Sequence, residues 1–367
     1  MPRPRQSLKG IRMLVLATAW WGISFPMMKA LAMTQQPLAG TDGTWFIASL
    51  CVVYRFGIAA LIMLLLSARS IRTMTRLELA QGLGLGLFGG AGILLQMDGL
   101  AHTAASTSAF LTQCSCMFVP LWVACRTRRL PAAKVFLGCA LVITGVALLA
   151  GLDWHDFRLG RGEWETLAAA VLFAGQILWL ERPKYAPNNV DHFTFWMFAV
   201  MSLVALPVAL GTTKQPAHWL QMYGSAPAFG FLAVLVVVCT LGAYRLMNRW
   251  QRQVTATQAG FIYCAEPLFA SAFALFLPAW FSNWAAIPYP NETLTLSLLF
   301  GGAFITAANV IVHLPTHREL PEAHRPRREV PALGPKLACE TSGSARGLAA
   351  CDSPRVAGRN AARSPSA

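Results

Sequence analysis

The sequence predicts an all-α polytopic membrane protein with ten transmembrane helices, arranged as two inverted repeats of five helices. Composition is the first observation behind this prediction: 55% of the 367 residues are hydrophobic and 13% are charged, whereas soluble proteins average about 25% charged residues. The second is that the apolar runs are continuous over about 20 residues, as a spanning helix requires, without the alternation of a β-barrel. The third is that the loops between these runs are alternately rich and poor in basic residues.

Ten apolar segments are predicted to cross the bilayer, with boundaries good to about 2–4 residues. They are 11–32, 45–67, 78–98, 104–125, 132–150, 163–181, 193–211, 226–248, 257–279 and 293–313. The first five form one repeat, residues 11–150, and the last five form a second, residues 163–313. Residues 1–10 are predicted to be a cytoplasmic N-terminus. Residues 314–367 have few large apolar side chains, and are predicted to be a disordered basic cytoplasmic tail.

Basic residues set the predicted orientation, because cytoplasmic loops carry an excess of Lys and Arg. One side has Arg3, Arg5, Lys9, Arg12, Arg69, Arg72, Arg76, Arg126, Arg128, Arg129, Lys134, Arg182, Lys184, Arg245, Arg249 and Arg252, whereas the other has Arg158, Arg161 and Lys214. Both termini are therefore predicted to be cytoplasmic. The expected location is a cell membrane, taken to be a bacterial inner membrane.

The net charge of +14 raises the question of nucleic-acid binding. Much of that charge lies in short loops between apolar runs, so the lipid bilayer is the predicted partner and nucleic acid is not. The chain has no G-x-x-x-x-G-K-[ST] and no H-E-x-x-H motif. None of its cysteines forms a C-x-x-C pair. No cofactor and no metal site are predicted.

The two halves of the chain carry a related segment. Residues 103–116, "TAASTSAFLTQCSC", align without gaps on residues 254–267, "VTATQAGFIYCAEP". Each half has five predicted spans, and an odd number means that the second half enters the membrane from the opposite side. Inverted repeats of this kind build many secondary transporters, with the substrate path near the midplane between the halves.

Several segments, in their order and spacing, resemble a known family. They are "AWWGISFPMMK" (19–29), "YRF" (54–56), "GLAHTAASTSAFLT…FVPLW" (99–122), "GAYRLMNRWQRQVTATQAGFIYCAEPLFA" (242–270) and "LTLSLLFGGAFIT" (294–306). The chain thus resembles the drug/metabolite transporter superfamily, in its ten-helix type built from two EamA domains. This resemblance implies export of small metabolites, often amino acids or their derivatives and less often drugs.

Two charged residues lie about ten positions into predicted spans: Arg55 in the second and Glu266 in the ninth. A charge at the centre of a bilayer costs about 2.5–3.5 kcal/mol and usually faces a cavity or a partner. Arginine suits a carboxylate on a solute, and a carboxylate suits an amine or a proton. The alternative is that the two residues only lock helices together, through each other or through backbone carbonyls.

Prolines inside predicted spans are the hinge candidates. Pro267 follows Glu266 directly, and a proline within a helix removes a backbone donor and opens the preceding turn. A freed carbonyl at membrane depth is tolerated only against protein or a water-lined cavity. Pro26 and Pro120 are predicted to produce similar kinks. Static kinks explain the same pattern.

Uncharged side chains complete the predicted substrate path. Trp20, Trp21 and Ser24 lie in the first span, and Trp21 and Ser24 share a helix face because they are three residues apart. Aromatic rings can flank a solute, but they also pack helices. The other polar candidates are Gln96, Gln113, Gln176, Tyr244, Asn248 and Tyr263. Interhelical hydrogen bonding is the alternative role for each of them.

The sequence thus predicts a secondary transporter, not an enzyme, that exports a small metabolite by alternating access, with protons as an optional second ligand. A multidrug exporter is the alternative within that class. An intramembrane enzyme would need a chemical pair, and only Asp98 and His102, four residues apart, come near one. A non-transporting scaffold or sensor is the third alternative. Homodimerisation is left open.

Overall fold

The computed structural model describes residues 8–40, 42–68, 70–128, 130–131, 133–149, 159–180, 182–254, 259 and 262–314. All of them belong to one compact unit, Met1–His317. The predicted N-terminal segment 1–10 therefore lies largely outside the described residues. The predicted tail 314–367 lies outside them except for its first residue, and so does the start of the predicted ninth span.

The described residues form helices and no strands, as predicted for the fold class. In chain order the helices are α1 (Leu8–Ala39), α2 (Gly43–Leu66), α3 (Arg76–Ala101), α4 (Ala105–Thr112), α5 (Ser115–Thr127), α6 (Ala133–Leu149), α7 (Arg161–Leu180), α8 (Val190–Thr212), α9 (His218–Gln221), α10 (Ala226–Val234), α11 (Ala243–Trp250), α12 (Glu266–Ala274), α13 (Leu277–Ala285) and α14 (Leu296–His313). A π-helical segment, Leu235–Gly242, joins α10 to α11.

Six helical stretches are long and apolar enough to cross a membrane. They are α1, α2, α3, α8, the pair α4–α5 (Ala105–Thr127) and the run from α10 to α11 (Ala226–Trp250). The pair α12 and α13 meets the same test as one span bent by 54°, and α6 and α14 are shorter apolar helices. Helix α7 carries Arg161, Glu163 and Glu165 in its first turns. Because six helical stretches can cross a membrane, the protein is a multi-pass membrane protein.

Side chains at helix starts explain several boundaries. Thr75 accepts a hydrogen bond from the Glu78 backbone N–H, and the Glu78 carboxylate accepts one from Thr75, so α3 begins with a capping box. Asn189, Ser225 and Thr295 accept similar bonds at the starts of α8, α10 and α14. These bonds satisfy backbone donors that have no partner within the helix.

Helix α3 packs closely on α8 because glycines line the contact. A Cβ added at Gly86 would lie 2.5 Å from the Val200 Cβ, and one added at Gly90 would lie 2.9 Å from the Met201 Cα. Such distances leave no room for a methyl group, as expected where small residues let helix backbones approach. The main helix pairs are α2 with α8, α3 with α7 and α8, α6 with α14, and α1 with α12.

The fourth and ninth predicted spans are interrupted, which corrects the expectation of a proline inside a continuous ninth helix. Helix α4 ends at Thr112 and α5 begins at Ser115, whereas α12 begins only at Glu266. Pro267 lies in the first turn of α12, where the missing N–H has no partner to lose. Pro26 and Pro120 do lie inside helices, α1 and α5 respectively. The breaks fall at positions that the repeat alignment makes equivalent, 113–114 and 264–265.

Candidate functional site

A cavity of about 430 Å³ lies between helices of both halves of the chain. Ten of the eleven predicted substrate-path residues line it: Trp21, Ser24, Arg55, Gln96, Gln113, Gln176, Tyr244, Asn248, Tyr263 and Glu266. Pro120 lines it as well, whereas Pro26 and Pro267 are buried outside the lining. The volume lies in the range of about 300–1,000 Å³ typical of small-molecule sites. The cavity is therefore the candidate functional site.

Trp20 is the one predicted path residue that does not line the cavity. Its ring packs on Gly242, where an added Cβ would lie 2.7 Å from the Trp20 Cζ3 atom. The neighbouring Trp21 does line the cavity, because consecutive residues on a helix point in different directions. Trp20 therefore fills the packing role that the sequence left open for it.

Glu266 and Gln113 join the two interrupted spans at the cavity wall. The Gln113 Nε2 donates a hydrogen bond of 3.1 Å to the Glu266 Oε2. Gln113 lies at the break between α4 and α5, and Glu266 is the first residue of α12, so each side chain stands where its helix is interrupted. A carboxylate at a helix N-terminus faces the positive end of the helix dipole. This contact holds the two breaks against each other.

Two thiols lie at the same crossing, and sequence reasoning did not single them out. The Cys116 Sγ donates to the Gln113 Oε1 at 3.6 Å, and Cys264 lies just before the start of α12. Both cysteines are free, and Cys116 lines the cavity. The repeat alignment gave the available signal, because Cys264 lies within the break at 264–265 and Cys116 follows the equivalent break at 113–114.

Arg55 is 3% exposed and lines the cavity from α2. Its Nε donates to the Thr240 Oγ1 at 2.6 Å, and its Nη1 donates to the Met28 Sδ at 3.1 Å. Thr240 belongs to the π-helical segment, a type of distortion that is frequent at functional sites. No ion pair joins Arg55 to Glu266 among the described contacts. The charges line one cavity without neutralising each other.

Aromatic rings form the wall beside Glu266. The Trp21 ring lies 5.3 Å from the Tyr244 ring and 5.9 Å from the Tyr263 ring, measured between centroids. Tyr244 lines the same cavity as Arg55 and Glu266. The Tyr263 hydroxyl donates to the Gln251 Oε1 at 3.0 Å. Rings around a carboxylate suit an amphipathic cation.

The uncharged polar candidates also bond within the protein, as their alternative role requires. Gln96 donates to the Thr112 Oγ1 at 2.8 Å, and Asn248 donates to the Thr194 Oγ1 at 2.9 Å. Gln176 donates to the Leu85 carbonyl at 3.2 Å. Ser24 donates to the Trp21 carbonyl of its own helix at 2.7 Å. Gln96, Gln176 and Asn248 therefore join different helices, whereas Ser24 bonds only within α1.

A polar network lies at the end of the helices where the outer loops are predicted. Lys29 donates to the Thr103 carbonyl, and the Thr103 hydroxyl donates to the Glu163 Oε1 at 2.7 Å. Glu292 accepts from the Ala105 N–H at 2.8 Å and from the Ser106 hydroxyl. These contacts tie α1, α7 and the 286–295 loop to the start of α4. Sequence reasoning missed Glu292, which lies in a long loop without an apolar pattern.

Asp98 and His102 do not form the pair that the enzyme alternative required. Asp98 pairs with Arg161, whereas the His102 Nε2 lies 3.4 Å from the Thr44 Oγ1. Helix α3 ends at Ala101, so helical spacing does not carry through to His102. Within the described part of the chain, no group of three or more His, Cys, Asp or Glu side chains is placed to hold a metal ion.

The fold and the site define a class of protein: a multi-pass helical membrane protein with an internal cavity that is largely apolar and carries the charged residues Arg55 and Glu266. Residues 8–151 match the sequence profile of the EamA-like transporter family. This match covers the predicted first repeat, 11–150, and supports the resemblance of the chain to EamA-type members of the drug/metabolite transporter superfamily.

Two curated relatives are named "Uncharacterized transporter". One, from Haemophilus influenzae, is 28% identical over 142 residues, which is 39% of this chain and 79% of the relative. The other, from Archaeoglobus fulgidus, is 22% identical over 301 residues, which is 82% of this chain and 84% of the relative. A solved structure titled "Crystal structure of protein" is 14% identical, with a TM-score of 0.48, and the match covers 79% of this chain and 95% of that one.

Proposed function

We propose that this protein is a secondary transporter that exports a small polar or amphipathic metabolite, such as an amino acid or a derivative, by alternating access. The observation that carries the proposal is the cavity at the crossing of two interrupted helices, with Arg55 and Glu266 in its lining. Polar groups at that depth replace the water that a solute loses on entering the membrane. The proposed location is a bacterial inner membrane.

The proposed architecture is ten spans in two inverted repeats, 11–150 and 163–313. The helix pairing supports it, because pairs of packed helices have counterparts formed by the equivalent helices of the other half. The contact of α3 with α7 corresponds to that of α1 with α11, and the contact of α1 with α12 corresponds to that of α7 with α4 and α5. Helix α6 packs on α14, its own equivalent in the second repeat. The breaks at 113–114 and 264–265 are likewise equivalent.

The cavity geometry supports an inward-facing state of the transport cycle. Its lining reaches Leu180, Gln251 and Val312, near the ends of α7, α11 and α14 that carry the predicted cytoplasmic loops. Toward the other side the lining stops near Phe25 and Gln96. Beyond them lies the Lys29, Thr103 and Glu292 network. Opening that network while the inner ends close would complete alternating access.

We assign Glu266 the central role, as the ligand of an amine or a proton on the solute path. Among the described side chains its hydrogen-bond partner is Gln113, an amide that holds the carboxylate without neutralising it. Protons are therefore the proposed second ligand, with the solute gradient as the alternative energy source.

The experiment that tests the proposal is untargeted metabolite profiling of medium from cells that express the wild-type chain, Glu266→Gln or no protein. We expect one or a few metabolites to accumulate outside wild-type cells only. Asp191→Asn is the matched control, because that carboxylate is 46% exposed at the start of α8. Identical profiles for wild-type and empty cells would contradict the proposal.

Multidrug export is the second candidate, and the aromatic rings around Glu266 favour it. Trp21, Tyr244 and Tyr263 provide flat apolar surfaces beside a carboxylate, which accept lipophilic cations of varied shape. A drug-sensitivity panel separates the two candidates. Broad resistance that depends on Glu266 supports drug export, whereas unchanged sensitivity together with one exported metabolite supports the metabolite carrier.

A further inference from the structure

Arg55 has no anionic partner among the described residues, although it is 3% exposed. Its side chain contacts the Thr240 hydroxyl, the Met28 sulfur and the Phe56 ring, whose centroid lies 5.3 Å from the guanidinium carbon. None of the three carries a negative charge. A buried charge without a counter-ion is expensive, so proteins pair it unless a ligand provides the partner.

The contacts of Arg55 hold the guanidinium in place but use only some of its N–H donors. A guanidinium has five N–H donors in a rigid fork. One on Nε and one on Nη1 are engaged, by Thr240 and Met28. Because Arg55 lines the cavity, the rest of the fork can meet a solute there. Two parallel donors match the two oxygens of a carboxylate.

The surrounding charges restrict the anion that fits. Arg55 is the one Lys or Arg among the described residues that line the cavity, and Glu266 lines the same space. A dianion such as a phosphate monoester would gain one cation and meet one carboxylate of like sign. A single carboxylate gains the bidentate pair and carries no second charge to be repelled.

We propose that Arg55 is the carboxylate-binding subsite of the solute path, positioned by Thr240 of the π-helical segment. The inference rests on the proposed transport function, which it refines by assigning the solute one carboxylate. The Thr240 hydroxyl accepts from Nε and so orients the fork. The apolar lining beside it, including Leu85, Ile93 and Phe173, takes the rest of the solute.

The test is ligand-induced thermal stabilisation of the purified full chain in detergent, because a ligand that binds the folded state raises its melting temperature. The probes share one ring and differ in charge: benzoate, benzylamine, benzyl alcohol and phenyl phosphate. We expect benzoate to stabilise the wild-type protein in a saturable manner, and to do so more strongly than phenyl phosphate or benzyl alcohol. No saturable effect of benzoate would overturn the proposal.

The variants are Arg55→Gln, Arg55→Lys and Thr240→Val, with Asp191→Asn as the control. Benzoate affinity should fall by about tenfold or more in Arg55→Gln, since charge-assisted hydrogen bonds to the ligand are lost. It should fall less in Arg55→Lys, which keeps the charge but not the fork. Benzylamine binding should persist in both. Benzoate affinity equal to wild type in Arg55→Gln would overturn the assignment.

Thr240→Val keeps the test decisive if Arg55→Gln fails to fold. It removes only the hydroxyl that orients the guanidinium, so benzoate should bind more weakly while benzylamine binds as before. Unchanged benzoate binding in Thr240→Val would contradict the positioning role. Binding does not require turnover, so failure of the subsite and failure of transport are distinguishable: Glu266→Gln should stop transport and still bind benzoate.

Discussion

The Gln113 amide and the Glu266 carboxylate meet at 3.1 Å, and each stands at an interruption of a membrane helix. The two positions come from equivalent segments of the chain, one in each half. Interrupted helices are tolerated at membrane depth where they line a cavity or are buried in protein. This hydrogen bond therefore joins the two halves of the chain at their interrupted helices, beside the cavity.

Replacing Gln113 by leucine should weaken both the contact and transport. The substitution removes the amide that donates to Glu266, and a hydrogen bond to a charged group contributes about 1.5–3 kcal/mol. We expect export of the identified metabolite to fall several-fold in whole cells, with a lower melting temperature of the purified protein. Gln221→Leu is the control, because Gln221 is exposed on α9. Export at the wild-type rate in Gln113→Leu would show that the contact is dispensable.

Glu292→Ala should loosen the outer closure. The carboxylate accepts bonds from the Ala105 N–H and the Ser106 hydroxyl at the N-terminus of α4, where a negative charge is also favoured by the helix dipole. Its loss should raise the population of outward-open protein. In intact cells, a membrane-impermeant thiol reagent should then label Cys116 faster, as read by mass spectrometry.

The control for this labelling is Gln215→Ala, a substitution at an exposed position in the loop after α8. Labelling of Cys116 should match wild type in that variant. Equal labelling rates in Glu292→Ala and wild type would contradict the proposal that the Glu292 contacts at the start of α4 keep the outer end closed. Burial and the charge of Glu292 raise the pKa of the Tyr289 phenol in the same loop, so that side chain stays neutral during the assay.

Gly86→Ala should destabilise the fold through α3 and α8. The added Cβ would lie 2.5 Å from the Val200 Cβ, and overpacking in a filled interior costs about 1–3 kcal/mol. We expect less folded protein in the membrane and a lower melting temperature. The matched change, Gly211→Ala, adds a methyl group with nothing within 4 Å. The same loss in both variants would contradict the close approach as the cause, because alanine favours a helix more than glycine does.

The sequence identified most of the polar residues that line the cavity, because a polar side chain inside an apolar run must face a cavity or a polar partner. Arg55, Gln113 and Glu266 needed a cavity or a partner, and they share one cavity. Trp20 could not be separated from Trp21 in this way, since an aromatic ring packs as readily as it binds. Ring placement depends on neighbours such as Gly242, which lies far along the chain.

Features that depend on contacts between distant segments were not predictable from local patterns. Glu292 reaches the start of α4, and Asp98 pairs with Arg161 of α7 rather than with His102. Both contacts bring together residues more than one helix apart in sequence.

Reporter fusions should confirm the proposed orientation and its alternation. Fusions after Lys184 and after Arg249 are expected to report a cytoplasmic location, and a fusion after Lys214 an external one, because basic loops remain inside. Fusions at the two chain ends should both report the cytoplasm. Termini on opposite sides would require an odd number of spans and would contradict the proposed pair of five-helix repeats.

Transport in inverted membrane vesicles is the most direct test of the central claim that Glu266 works on a solute path through the membrane. The measurement compares uptake of the profiled metabolite by vesicles with equal amounts of wild-type protein and Glu266→Gln. Wild-type vesicles should accumulate the metabolite, and Glu266→Gln vesicles should match vesicles that lack the protein. Uptake by Glu266→Gln at the wild-type rate would contradict the account.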